Sequence, residues 1–180
     1  RIECNVDCNL WIGHTGSGVT TTTLQNNITV TGTLILSQGS GTNNVTINSF
    51  SLIAQGDISF SASSSSRITT GTTLLSIEGS NNQAMSGSGM AQLNITVNKS
   101  GGTLTIGNLY WEAKTFTWTA GTVVHSGTLS MLTSSITTTF NTGVGISWDN
   151  VTWGGTLTTI VLTILPYSPQ THTRYLVPVI

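Results

Sequence analysis

The sequence predicts an all-β fold built of short stacked coils, a β-solenoid, and three observations support this prediction. Asp, Glu, Lys and Arg make up only 6% of the 180 residues, and Thr, Ser, Gly and Asn fill the polar positions instead. β-branched residues and glycine weaken helices, and no stretch has the apolar spacing of an amphipathic helix. Short apolar or alternating runs recur between clusters of turn residues, as in all-β proteins.

The predicted strands follow one another at close and fairly even spacing. Strand patterns lie at residues 28–31, 34–36, 45–48, 58–60, 93–97, 104–106 and 157–161. Turn clusters lie at residues 37–41, 79–82, 99–102 and 153–155. Most of the strand patterns combine Ile, Val or Leu with Thr, Ser or Asn, which is typical of a strand with one buried side.

A weak internal repeat favours coils that stack on one another. The motif Asn-Ile/Val-Thr-Ile/Val/Trp starts at residues 27, 44, 94 and 150, and Gly-Thr-Leu follows three of these copies. The starts fit multiples of a period of about 17–19 residues, which is one coil of two or three short strands. Coils would stack at about 4.8 Å, with Ile, Val and Leu inside and Thr, Ser and Asn outside. An antiparallel β-sandwich or jelly roll has strands of the same length and is the alternative.

The predicted organisation is one β-repeat domain with two flanking segments. Residues 24–165 form the repeat domain, residues 1–23 an N-terminal extension or cap, and residues 166–180 an extended C-terminal tail. The tail contains three prolines, which confine a segment to sheet edges or extended linkers. The chain begins with Arg1 and shows no signal segment, so we expect a mature form or a fragment of a longer protein.

Charge and hydropathy exclude several classes of partner. The net charge is −1 and the five cations are scattered, so nothing favours binding to nucleic acid or to an anionic membrane surface. No apolar run approaches the roughly 18 residues of a membrane span. The glycine-rich residues 13–18 lack the Gly-Lys-Ser/Thr ending of a phosphate-binding loop. We therefore expect no cofactor and no metal.

The two cysteines, Cys4 and Cys8, are candidates for a small disulfide loop that holds the N-terminus, which would indicate an oxidising compartment. Two unpaired thiols are the alternative. A structural zinc site is less favoured, because the sequence has no second cysteine pair and only His14 lies nearby.

Few residues point to catalysis. A glycan-cleaving enzyme needs two carboxylates that flank the scissile bond, and Asp57 and Glu78 are spaced so that successive coils could bring them together. Solvated turn residues are the better interpretation of these carboxylates. Serine and threonine nucleophiles need a neighbouring base, and no histidine lies in a recognisable catalytic motif. We therefore expect a protein that is not an enzyme.

Aromatic residues are the candidates for contact with a glycan, because their faces stack on sugars while nearby polar groups bind sugar hydroxyls. The candidates form two segments of the sequence: Tyr110, Trp111, Glu112 and Trp118 in the first, and Trp148, Asp149 and Trp153 in the second. The alternative is that these rings fill the core, since large aromatic side chains usually bury most of their area.

The motif Asn-Ile/Val-Thr with Gly-Gly-Thr-Leu-Thr at residues 101–105 and 154–158 resembles the degenerate repeats of extracellular β-solenoid proteins. These include the fibre and spike shafts of phages and bacterial surface adhesins, and the resemblance covers residues 24–165. It implies an elongated, protease-resistant and extracellular shaft within a larger assembly.

We therefore expect a non-enzymatic structural module of a virion fibre or cell-surface appendage, assembled as a homo-oligomer or with other structural subunits. A carbohydrate-binding module that recognises a host or cell-surface glycan is the alternative. An ice-binding surface would need ranks of threonine at constant spacing, and the Thr-X-Thr stretches at 31–33 and 103–105 drift from such spacing.

Overall fold

The computed structural model describes residues 8–14, 19–38, 44–61, 67–88, 90–111, 115–126, 128–133, 138–141, 146–147, 150–155 and 160–162. Within these ranges the chain is entirely β, with 17 strands in one sheet and no helix. The strands are β1 (Leu10–His14), β2 (Thr20–Thr23), β3 (Ile28–Val30), β4 (Leu34–Gln38), β5 (Asn44–Asn48), β6 (Ser51–Ala54), β7 (Ile58–Ser61), β8 (Arg67–Ile77), β9 (Gln83–Ser88), β10 (Met90–Ile106), β11 (Leu109–Trp111), β12 (Thr115–His125), β13 (Thr128–Thr133), β14 (Thr138–Asn141), β15 (Ile146–Ser147), β16 (Asn150–Gly155) and β17 (Ile160–Leu162). The all-β prediction is confirmed.

All strand pairs are parallel, and they form three ladders that run along one axis. The first face joins β1, β4, β7, β9, residues 103–106 of β10, residues 122–125 of β12, and β15. The second joins β2, β5, residues 67–69 of β8, residues 90–92 of β10, β11, β13 and β16. The third joins β3, β6, residues 74–77 of β8, residues 94–97 of β10, residues 115–118 of β12, β14 and β17.

Each face therefore stacks seven strand segments, and the described chain makes seven coils of three strands. This arrangement is a parallel β-solenoid, as the sequence predicts, and not an antiparallel sandwich or jelly roll. β8, β10 and β12 each continue around at least one corner, so one long strand serves two or three faces.

The predicted coil length of 17–19 residues is too short. The register pairs Leu104 with Val123, 19 positions later, but pairs Ile58 with Met85, 27 positions later. The prediction fails because the repeated motif does not occur once per coil. Its copies at 27–30 and 94–97 lie on the third face, whereas those at 44–47 and 150–153 lie on the second.

Alternating side chains build the core. Leu34 and Leu36 are fully buried, whereas Ile35 between them is only partly buried. The register continues the Leu34 position through Ile58, Met85, Ile106 and His125, which are all buried, so one column of the core crosses five coils. Each fully buried Leu or Ile stabilises the fold by about 1.5–3 kcal/mol through the hydrophobic effect.

The structure describes residues 153–155 and part of residues 1–23, where the sequence predicts a turn and an N-terminal extension or cap. Residues 153–155 were expected to form a turn, but they belong to β16, because β13 offers ladder partners for Trp153 and for both glycines. Near the N-terminus, β1 and β2 form part of the first coil, so the stacked coils begin within residues 1–23. The tail at residues 166–180 lies outside the described residues.

Candidate functional site

The corners carry side-chain oxygens that join one coil to the next. Asn9 stands directly before β1, and its Oδ1 atom accepts a hydrogen bond of 2.8 Å from the backbone N–H of Thr33. Asn27, directly before β3, accepts in the same way from Ser51 at 2.9 Å. In both cases the donor is the residue at the same register position one coil later.

Two more residues repeat this arrangement. Asp57 Oδ1 accepts a hydrogen bond from the Ala84 N–H at 2.8 Å, and Asn82 Oδ1 accepts one from the Thr103 N–H at 3.0 Å. These four residues, Asn9, Asn27, Asp57 and Asn82, are called the corner caps below. Asn27 is the first residue of one copy of the repeated motif, and in that copy it satisfies a backbone donor of the following coil.

A buried polar network lies where the third face turns into the first. The Lys99 side chain is only 2% exposed, and its Nζ donates to the Asn81 carbonyl at 2.8 Å, to the Gly79 carbonyl at 3.5 Å and to Gln83 Oε1. Gln83 in turn donates from Nε2 to the carbonyls of Ala54 and Gly56, at 3.1 and 2.7 Å.

The network is structural in character. The ammonium group directs its donors at three acceptors, which offsets part of the cost of burying a charge. Desolvation by burial nevertheless lowers the pKa of Lys99. Lys99 and Gln83 together link the corners that follow the second, third and fourth coils.

The two candidate carboxylates, Asp57 and Glu78, each accept a hydrogen bond within the coil stack. The register places Glu78 opposite Gln55, two positions before Asp57. Glu78 accepts a hydrogen bond from the Ser76 hydroxyl at 2.7 Å, and Asp57 serves as a corner cap. Among the residues that the structure describes, no group of His, Cys, Asp and Glu is arranged to hold a metal ion.

The candidate glycan-contact residues within the described part of the chain lie on two faces. Trp118 is on the third face, where it packs against the core and donates from its indole N–H to the Gly121 carbonyl at 2.9 Å. Tyr110 and Trp111 are on the second face, and the register aligns Trp111 with Met131 and then with Trp153, two coils later. Glu112, Trp148 and Asp149 lie outside the described residues. A glycan contact at these seven residues stays a prediction.

The predicted disulfide falls at the start of the described chain. Cys8 is disulfide-bonded. Cys4 lies outside the described residues, so its pairing with Cys8 stays a prediction.

Two exposed aromatic residues, Trp11 and Phe50, are not among the sequence candidates. Trp11 lies in β1 next to the buried Ile12, and half of its side chain is exposed. The available signal was the alternation in residues 10–13, where Trp11 and Gly13 occupy the side opposite to Leu10 and Ile12.

No protein-family description, curated protein or solved structure shows significant similarity to this chain. No helix in the described part of the chain is long and apolar enough to cross a membrane.

Proposed function

We propose that this chain is a non-enzymatic structural module of an extracellular assembly, such as a virion fibre or spike, or a cell-surface appendage or adhesin. The observation that carries the proposal is the stacking of seven parallel coils along one axis. Six steps of about 4.8 Å make a rod about 30 Å long from the described residues alone. Such a rod has a fixed direction and holds its two ends apart.

The chemistry of the described side chains supports a structural role. Asp57 and Lys99 bind backbone groups of neighbouring coils, and Glu78 binds a serine of its own coil. These interactions stabilise the coil stack, which supports a structural role for these three side chains.

The uncharged surface also fits an extracellular shaft. Extended backbone held in parallel ladders is poorly accessible to proteases, which cleave segments that open locally. Lys99, one of only five basic residues, is buried and therefore withheld from proteases that cleave after Lys or Arg.

We further propose that copies of this chain assemble with one another or with other structural subunits. A coil at the end of a solenoid exposes unpaired backbone groups that must be capped or joined to another chain. A net charge of −1 provides little repulsion between copies. We propose that residues 173–180 of the apolar tail pack against a neighbouring subunit.

Sedimentation velocity tests the assembly. The full chain is expected to sediment as an oligomer, and deletion of residues 173–180 is expected to release monomers or to make the protein precipitate. A full chain that sediments as a stable monomer, with no change on deletion, contradicts the assembly.

Incubation with polysaccharides tests the non-enzymatic role. The purified chain is expected to leave neutral and acidic polysaccharides at their original length in size-exclusion chromatography. Cleavage that is abolished by Asp57→Ala or Glu78→Ala would show that the protein is an enzyme.

A further inference from the structure

The indole of Trp11 lies along the outer side of the first face instead of standing away from it. A Cβ atom on Gly13 would lie closest to the carbonyl oxygen of Ser37, 2.6 Å from Ser37 Oγ and 2.9 Å from Cζ2 of Trp11, so Ser37 and the edge of the ring together fill the space of a side chain at position 13. Half of the Trp11 side chain remains exposed. Because Gly13 has no side chain, the edge of the ring can lie against it, and part of the ring stays open to solvent.

A row of hydroxyl groups continues from the ring into the next two coils. The register places Ile35 beside Trp11 and Ser37 beside Gly13 in the second coil. In the third coil the same two positions are Ser59 and Ser61. None of these six residues carries a charge, and the positions in the first and third coils are about 10 Å apart.

We propose that this surface binds one strand of an uncharged polysaccharide that lies along the solenoid axis. One sugar ring stacks on Trp11, because the apolar face of a pyranose matches a flat exposed aromatic ring. The following sugars donate and accept hydrogen bonds with the hydroxyls of Ser37, Ser59 and Ser61. We call Trp11, Gly13, Ile35, Ser37, Ser59 and Ser61 the Trp11 surface.

The composition of the Trp11 surface favours a glycan over a protein partner. A stable protein interface buries about 1,200–2,000 Å² in total and has an apolar centre. Here one aromatic ring and one partly buried Ile35 are followed by serines. An anionic polysaccharide would find no basic side chain on this surface to offset the cost of desolvating its charge.

Affinity electrophoresis of the full chain tests the proposal with four soluble neutral probes: a β-glucan, a mannan, a galactan and chitin oligosaccharides. Polygalacturonate serves as the anionic comparison. We expect at least one neutral probe to bind more tightly than polygalacturonate. Trp11→Ala is expected to weaken that binding at least about tenfold, as is common for a central aromatic contact.

Three further variants separate stacking from a loss of structure. Trp11→Phe keeps a flat ring and should retain most of the affinity. Ser59→Val removes one hydroxyl and should weaken binding a few-fold. Phe50→Ala is the matched control, because Phe50 is 52% exposed at a corner outside the Trp11 surface and should not matter.

The proposal is overturned if none of the neutral probes binds at about 10 mM sugar, the range of the weakest specific complexes. It is also overturned if Trp11→Ala and Ser59→Val both bind as the unchanged chain does, or if polygalacturonate binds best. A lower sedimentation coefficient for Trp11→Ala with unchanged glycan binding would instead assign this surface to contact between copies.

Discussion

The corners between the third and first faces have two sizes. Residues 31–33 and 55–57 form three-residue corners, whereas residues 78–82 and 98–102 form five-residue corners. The short corners stack backbone against backbone, and a Cβ on Gly56 would lie 2.2 Å from the Gly32 carbonyl oxygen. In the long corner at 98–102 two neighbouring glycines differ: a Cβ on Gly101 would have no neighbour closer than 3.5 Å, whereas a Cβ on Gly102 would lie 2.5 Å from the Asn81 carbonyl oxygen.

The difference shows how a solenoid accommodates an insertion. In the longer corner the Gly79 carbonyl accepts a backbone hydrogen bond of 3.2 Å from the Ser100 N–H, and a buried side chain supplies further donors. Lys99 supplies the donors for Gly79 and Asn81, and Gln83 connects this arrangement to the short corner at Gly56. Closely packed glycines occur in both kinds of corner, and a buried amine stabilises the long one.

The largest expected effect comes from closing the space in a short corner. Gly56→Ala places a methyl group against the Gly32 carbonyl, so the two coils must separate, and we expect a loss of about 4 kcal/mol in the free energy of unfolding. Gly101→Ala in a long corner is the control and should change stability by less than about 0.5 kcal/mol. Urea unfolding measures both, and equal losses would show that the two kinds of corner do not differ.

The next effect comes from removing the donor in a long corner. Lys99→Met leaves the carbonyls of Gly79 and Asn81 and the Gln83 side-chain oxygen without their ammonium donor, and we expect a loss of about 3 kcal/mol. Gln83→Leu should also destabilise the protein, and the double variant should lose less than the sum of the single variants. Additive losses would contradict a shared network.

The pH dependence of stability tests the role of Lys99 in the long corner. Burial lowers the pKa of Lys99 below its ordinary value of 10.5, so in the alkaline range the unfolded chain binds the proton more tightly than the folded chain. The contribution of Lys99 to stability therefore rises as pH increases through its folded pKa towards 10.5. The stability difference between the unchanged chain and Lys99→Met should grow between about pH 7 and about pH 10. A difference that shrinks over this range contradicts the direction of the shift.

The smallest effect concerns a corner cap. Asp57→Ala removes the acceptor for the Ala84 N–H and should cost about 1 kcal/mol. Asp57→Asn keeps an oxygen at the same position and should be nearly neutral. Thermal unfolding of the two variants distinguishes them, and an equal loss in both would show that the charge of Asp57 matters more than its role as an acceptor.

Patterns within single strands could be predicted from the sequence, and contacts between coils could not. The alternation at residues 28–31, 45–48 and 58–60 corresponds to β3, β5 and β7, because a strand with one buried side has period two. The coil length was wrong, because the same motif suits two faces and corners of different length change the spacing. Sequence spacing cannot reveal which residue stands one coil above another.

The burial of Lys99 and the exposure of Trp11 could not be predicted for the same reason, because both depend on neighbours in other coils. Lys99 looked like part of a turn, and its burial depends on two residues added to a corner twenty positions earlier. The neighbours of Trp11 on its face are Gly13 two positions later, Ile35 and Ser37 one coil later, and Ser59 and Ser61 two coils later. Such neighbours become visible only when the register is known.

The corner caps all point the same way along the rod. Asn9, Asn27, Asp57 and Asn82 each offer an oxygen that is filled by an N–H group from the coil that follows. When the chain folds from its N-terminus, each new coil therefore meets a completed coil whose acceptors are already in place. Folding in that order needs no distant segment to be present, so the stack can grow one coil at a time from the N-terminal end.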